Sequence, residues 1–446
     1  MTGGQKGFTR RLAAFVAQTD SGSIPKDAYD HAKVAFLDWL GVTLAGKDDP
    51  LVGKLVELAR LVGGQPQATL VGLGMKTDVA HAALVNGSAS HALDYDDTLV
   101  SFLGHPSVTL FPALLALSEW KGSGGRDFLA SYIIGLQAGG TVGACASLDH
   151  YLAGWHATST LGHIASAAAC AKLLGLDEER TCWAIGIGAT QSCGLKRVFG
   201  TMCKPFHAGR ASQAGLTAAL LAGMGFTCAD DTIEGPQGFF DALKGKVNEE
   251  IVGMLGLGWD VVNLSQKYHA SCHATHSPME AALEAVGTNS IDIDDIESIT
   301  VHSSELALQA AAKQDPETGL EGKFSISYCV ANALLRGETG MQAFSDEKVR
   351  DGHVRQLMKR IQVIHDPQIK ALESIVEVRT KDGKVKTAFS DILQQIPPLE
   401  TKRTRVRSKF LDLAVPAVGR DRAETILERS EHLEDESMTT FAQGLA

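Results

Sequence analysis

Along the first 264 or so residues, apolar side chains recur at spacings of three and four. Leu12, Phe15 and Val16 stand at i, i+3 and i+4 and predict the inner face of a first amphipathic helix. Ala32, Ala35, Phe36, Trp39 and Leu40 repeat the period, as do Leu161, Ile164 and Ala168. Ala, Leu and Gly dominate there, and strand signals are nearly absent. From about Lys267 to Leu399 the texture changes. The β-branched runs at 296–301, 361–364 and 375–389 predict strands, and Asp382-Gly383 inside the last run predicts a hairpin turn. Helical periods at 278–286 and 327–335 lie between them, and from about Lys402 the pattern returns to helix. The fold class expected is mainly α: a large all-helical domain over 1–266, a smaller inserted α+β domain over 267–399, and C-terminal helices over 400–446 that return to the helical domain. The interface between two such domains is the first place to seek a pocket.

The chain has 446 residues, more than one hydrophobic core usually holds. Its net charge of −11, without a long Lys/Arg run, argues against nucleic acid and anionic membrane surfaces as partners. An anionic substrate therefore needs local basic residues. The eight cysteines are scattered without a CxxC pair and read as reduced, buried, small apolar residues. Arg10-Arg11 is followed by an apolar run too short for an export signal, and the apolar stretch at 132–148 is interrupted by Gln137 and glycines. A soluble cytoplasmic protein is expected.

Five polar constellations interrupt the apolar pattern. The first, His91-Ala-Leu-Asp94-Tyr95-Asp96-Asp97-Thr98 followed by His105-Pro106, is poor helix material and suits an active site at the end of the Ala-rich helix predicted over 79–90. In the second, Gly154-Trp155-His156-Ala157-Thr158-Ser159-Thr160, the hydroxyls read as helix caps, whereas His156 is either structural or an anion-holding group at a helix N-terminus. The third runs from Lys196-Arg197 through Lys204-Pro205-Phe206-His207 to Arg210 with no acidic residue, which suggests a basic pocket wall. Gly186 and Gly188 just before it resemble the start of a dinucleotide fingerprint, but no strand precedes them, so close helix packing is the better explanation. The fourth, Lys267-Tyr268-His269-Ala-Ser-Cys272-His273-Ala-Thr-His276, would place three imidazoles on one face if helical, an arrangement open either to zinc or, more economically, to acid/base work. In the fifth, Ser325 or Ser327 caps a helix, and Tyr328 is either core or a proton donor.

These motifs, together with Leu37-Asp38-Trp39-Leu40-Gly41 and Asn86-Gly87-Ser88, resemble those of the MmgE/PrpD family along the whole chain. The family includes 2-methylcitrate dehydratase, cis-aconitate decarboxylase and iminodisuccinate epimerase. The resemblance implies a helical domain with an α+β lid, a cleft between them, a homodimer, no metal and no cofactor. It places Asp94, Thr98, His105, His156, Lys204, His276 and Tyr328 in the cleft; Asp94, His105, His156, Lys204, His276 and Tyr328 are the catalytic candidates, and Thr98, joined by the cations Arg197 and Lys267, is the candidate for binding a small anionic polycarboxylate.

One departure bears on the reaction. Where the dehydratases carry a Glu-Trp pair before Gly-His-Pro-Ser, this chain reads Ser101-Phe102-Leu103-Gly104-His105-Pro106-Ser107. Expelling hydroxide needs a general acid, so this loss weakens a dehydratase assignment. The expectation is a cofactor-independent epimerase of iminodisuccinate-type amino polycarboxylates, with His105 and His276 moving a proton on opposite faces of one carbon. The alternatives are a lyase of the same family, either dehydratase or cis-aconitate decarboxylase, and a non-catalytic or zinc-binding member.

Overall fold

The computed structural model describes residues 7–287, 292–311, 313–393 and 396–446. The chain divides into two compact units. One takes the described residues up to Gln266 together with Leu399–Ala446, and the other is Lys267–Pro398.

The first unit is built of helices whose small residues let backbones approach closely. The Val79–His91 helix begins at Asp78, whose carboxylate accepts from the Ala80 and His81 amides. Nearly all of its residues are buried, so it lies inside the unit with no solvent stripe. It crosses the Cys203–Gly223 helix at a glycine pair. A Cβ on Gly87 would lie 2.7 Å from Gly209 Cα, and one on Gly209 would lie 2.1 Å from the Leu84 carbonyl oxygen. Any side chain at either position would push apart the two helices whose ends carry His91 and Lys204. Gly186 and Gly188 likewise sit inside the Glu178–Thr190 helix, where added Cβ atoms would strike Cys228 Sγ and the His163 carbonyl. They serve helix packing.

Phe36 and Trp39 of the Lys26–Gly46 helix stack on each other; Phe36 meets Phe111 edge-on, Trp39 meets it at a tilt, and Phe36 also meets Phe128 and Phe441. Phe441 lies near the C-terminus, so this aromatic core ties the chain's last segment back into the first unit. Burying each such ring is worth about 1.5–3 kcal/mol. The Gly125–Leu152 helix, interrupted by non-helical angles at Ser147, is long and apolar enough to cross a membrane, contrary to the expectation from its sequence, but 94% of its apolar window is buried inside the protein. A short hairpin pairs Ala68–Leu70 with Met75–Thr77.

The second unit holds a four-stranded sheet in the order Ile361–His365, Ile296–Ser303, Glu373–Thr380, Val385–Asp391. The first pair is parallel and the other two are antiparallel. The Asp-Gly turn closes the last hairpin with Gly383 at φ +84°, a conformation that favours glycine. The His276–Val286 helix packs on the last two strands.

Candidate active site

After His91 the helix ends and the chain turns through Asp94 at φ +52°, an unusual conformation for a residue with a Cβ. The turn sends three neighbouring carboxylates to three different fates. Asp94 Oδ1 accepts from Lys204 Nζ at 2.7 Å. Asp96 receives two imidazoles: both its oxygens lie 3.0 Å from His91 Nδ1, and Oδ2 lies 2.9 Å from His105 Nδ1. Asp97 turns inward to Ser107, whose hydroxyl donates to Oδ2 at 2.5 Å and also meets the Tyr132 hydroxyl at 2.7 Å.

Burial decides the charges. Burial alone would raise the Asp96 carboxyl, but His91 and His105 hold it well below the ordinary carboxylate range. Burial and the nearby Asp38 push Asp97 up to about 8, so it is held neutral. His91 is pushed down to about 4 by burial against the pull of Asp96. Burial, helped by His91 and Lys204, drives His156 well below its usual value. The site therefore presents one ammonium, two carboxylates and neutral buried rings.

His105 is placed by its backbone amide, which donates to Thr158 Oγ1 at 3.1 Å, and by Gly104, where a Cβ would lie 2.5 Å from that oxygen. Its Nε2 lies 3.8 Å from Asp94 Oδ1. The His91 ring stands 4.7 Å from that of His105 and 6.0 Å from that of His156. His156 itself occupies the N-cap position of the Ala157–Leu173 helix, but its side chain makes no cap hydrogen bond. The capping role expected of Thr158, Ser159 and Thr160 is not what the structure shows: all three lie inside the helix, and Thr158 instead serves His105. Phe199 meets the His156 ring edge-on at 4.9 Å.

Sequence reasoning assembled Asp94, His105, His156 and Lys204, and the structure brings these four together. It passed over three residues. His91 and Asp96 were visible in the first constellation, yet nothing in the spacing distinguished Asp96 from its neighbours. His207, one helical turn after Lys204, has its Nδ1 3.1 Å from His156 Nδ1. One ring must donate to the other there, so the tautomers of His156 and His207 are linked.

The basic wall expected over 196–210 does not form as one surface. Lys196 donates to the Tyr151 carbonyl and covers its ring, Arg210 meets Gln213, and Arg197 is exposed. Of these cations, Lys204 joins the cluster. Thr98 closes the acidic turn, its backbone paired with Ser265 in a short antiparallel bridge.

In the second unit, the helical face expected for His269, His273 and His276 is absent. Residues 269–271 form bends, a short 3-10 turn covers His273–Thr275, and the helix begins only at His276. The rings still gather, with His276 4.9 Å from both His269 and His273. The nitrogens of His269 face Thr339 Oγ1 at 2.8 Å and Glu280 at 3.2 Å, which leaves neither for zinc. His276 is buried with Nε2 3.3 Å from the Ser271 carbonyl. Lys267 is buried in the same unit. Tyr328 is fully buried behind the Ser325 cap, and its hydroxyl donates to the Ala343 carbonyl at 2.5 Å. Burial pushes its phenol up to about 12. Of its two readings, the core residue describes these surroundings.

His91, Asp94, Asp96 and His105 bring potential metal-ligand atoms within 4.8 Å of one another. Asp94 is nevertheless engaged by Lys204 and Asp96 by two imidazoles, so a cation entering here would displace Lys204 and compete with both rings.

Similarity to known proteins agrees with this arrangement. Residues 10–251 match the MmgE/PrpD N-terminal domain and residues 269–435 the C-terminal domain. The C-terminal match thus runs past the second compact unit into helices of the first. The cis-aconitate decarboxylase of Aspergillus terreus is 27% identical over 365 residues, covering 77% of this chain and 74% of the relative. That of Mus musculus is 26% identical over 457 residues, 98% and 93% of the two chains. The mitochondrial 2-methylcitrate dehydratase of Yarrowia lipolytica is 26% identical over 406 residues, 80% and 74%. With both domains matched in order across most of its length, the chain belongs to the MmgE/PrpD family of enzymes.

Proposed function

We propose that this protein is a lyase that decarboxylates a small unsaturated polycarboxylate of the cis-aconitate type. The observation that carries the reading is the Lys204–Asp94 pair at 2.7 Å beside His105, whose ring is backed by a buried carboxylate shared with His91. Breaking the bond to a departing carboxylate leaves an electron pair that passes through the double bond onto a neighbouring carboxylate. Lys204 is the cation that stabilises this charge, and losing one such preorganised donor costs roughly 3–4 kcal/mol of barrier in other enzymes. Carbon dioxide leaves, and the carbon takes a proton. His105 supplies it, since an imidazolium between Asp94 and Asp96 can donate from either nitrogen.

Two considerations place decarboxylation ahead of the other family reactions. The names of the relatives support a lyase. The stretch from Thr98 to Ser107 has no carboxylate, and Leu99 and Phe102 bury apolar side chains there, so no carboxyl group in it can serve as the acid that expels hydroxide. Epimerisation of iminodisuccinate-type substrates is the second reading, because it too needs no leaving-group acid. Incubation with cis-aconitate, 2-methylcitrate and iminodisuccinate stereoisomers in heavy water tests both. Carbon dioxide release from the first is expected. Deuterium entering iminodisuccinate without carbon–carbon cleavage, with cis-aconitate untouched, would replace the proposal with the epimerase.

A further inference from the structure

We infer that Lys409, on the Leu399–Val418 helix, is a positioning residue that holds the Tyr95 peptide so that the carboxylates on either side of it face their partners. Its Nζ donates to the Tyr95 carbonyl at 2.7 Å and pairs with Asp38 at 2.6 Å. It also lies 4.0 Å from the centre of the Tyr95 ring. An ammonium has three donors, and these contacts direct them to one residue of the turn and one counter-ion. Lys409, Asp38 and Tyr95 are all buried.

The turn needs such a clamp. Asp94 is held at φ +52°, and the two residues that meet the Lys204 ammonium and the imidazole pair are the immediate neighbours of Tyr95. A rotation of the Tyr95 peptide would move both carboxylates together. The counter-ion is fixed by close helix packing: at Gly41, one turn after Asp38, a Cβ would lie 3.3 Å from the Cα of Phe410, the residue next to Lys409. Asp38 thus pairs with a side chain far away in the sequence, and the pair reaches the turn at Tyr95, the residue between the two carboxylates. Asp96 also lies within electrostatic range of the Lys409 ammonium.

The inference rests on the site described above, so its test uses one readout that needs no substrate. The double variant Lys409→Met/Asp38→Asn removes both buried charges while keeping similar volumes, and it should fold with a thermal midpoint near that of the wild type. Its turnover of cis-aconitate should fall about 10²-fold with KM within about threefold, as expected for a small misplacement of reacting groups. In the same protein, without substrate, the NMR resonances and titration of the His91 and His105 rings should shift as Asp96 moves away from them. A folded double variant with wild-type turnover and unchanged ring resonances would overturn the inference. If the wild type turns over no polycarboxylate, the proposed function fails, and the ring spectra alone decide the role of Lys409. Should the double variant not fold, Lys409→Arg keeps the charge balance with a larger head group. It should displace the ring resonances and lower turnover about tenfold, and wild-type behaviour there would equally overturn the inference.

Discussion

The protein carries two groups of histidines, one in each unit, and they differ in what stands behind the rings. In the first unit, His91 and His105 share the Asp96 carboxylate, and Lys204 and Asp94 sit alongside. In the second, His276 meets two other rings and a backbone carbonyl, and burial with the neighbouring imidazoles drives it well below its usual value. The contrast lies between His105, which has a carboxylate at 2.9 Å, and His276, which burial and its neighbouring rings keep neutral; His91 beside the first is itself pushed down to about 4, and His269 beside the second meets Glu280. A ring backed by a carboxylate can carry a proton into a reaction, whereas a buried neutral ring can orient a substrate group or accept a hydrogen bond. Clustering alone, which is all the sequence displays, does not separate these roles.

The largest effect tests that division directly. His105→Ala should lower turnover by about 10³-fold, within the range for removing a positioned acid or base, while His276→Ala should cost about tenfold. Lys204→Ala should fall between them, at about 10²-fold or more, with little change in thermal midpoint because the Lys204–Asp94 pair is partly solvated. Steady-state kinetics on the three purified variants gives the order. A His276 variant as impaired as the His105 variant would erase the proposed division.

A second experiment sharpens the description of the first group. His207→Ala leaves His156 Nδ1 without its partner, and an orphaned buried polar atom costs about 1–3 kcal/mol. Turnover should drop about tenfold to 10²-fold. His207→Asn places an amide nitrogen where Nδ1 was and should recover most of the loss. If both variants keep wild-type rates, the His156 tautomer does not matter to the reaction.

How much of this was legible in the sequence follows from the kind of signal each feature leaves. Periodicity located the helical and α+β regions because burial of one face repeats along the chain. It found the Glu373–Thr380 and Val385–Asp391 hairpin because Asp-Gly forces a turn. Over 269–276 the helical spacing would put three imidazoles on one face only if the segment were helical, whereas His269 lies on a bend, His273 on a 3-10 turn and His276 at the first position of a helix. His273 and His276 cluster there by loop geometry, which has no period. The site was half visible: Asp94 and Lys204 stand in conspicuous polar stretches, but their pairing depends on the Gly87–Gly209 crossing, and glycine at a crossing looks like any other glycine. Lys409 was invisible, since one lysine in a helix rich in Lys and Arg carries no mark of being buried.

A third measurement follows from a buried ring with no carboxylate in the first unit itself. His163 donates from Nδ1 to the Ser159 carbonyl at 2.7 Å, and burial pushes it from 6.5 down to about 4. Below pH 6.5 the unfolded chain takes up a proton here that the folded protein refuses until about pH 4. Stability contributed by the neutral ring is therefore fully present above about pH 6.5 and lost as pH falls through that window, by about 1.4 kcal/mol per unit. Denaturant unfolding between about pH 7.5 and 4.5 should show this slope, and His163→Asn should flatten it by about one proton. An unchanged slope would mean that the ring is protonated in the folded state.

The smallest expected effect concerns Arg197, the cation that the sequence placed with the substrate and the structure leaves exposed. An exposed arginine near a site that takes an anion acts through its field, raising the local concentration of substrate without touching it. Such a field decays over about 8–10 Å at physiological salt and over about 3 Å at 1 M. Arg197→Ala should therefore raise KM about two- to threefold at low ionic strength, leave kcat unchanged, and become indistinguishable from wild type in about 0.5 M salt, since screening removes from the wild type what the substitution removes from the variant. Measuring kcat and KM of both proteins across a salt series separates the two cases. A loss of tenfold or more that persists at high salt would mean that Arg197 reaches the bound carboxylate directly, and the cation set of the site would then be Lys204 with Arg197 rather than Lys204 alone.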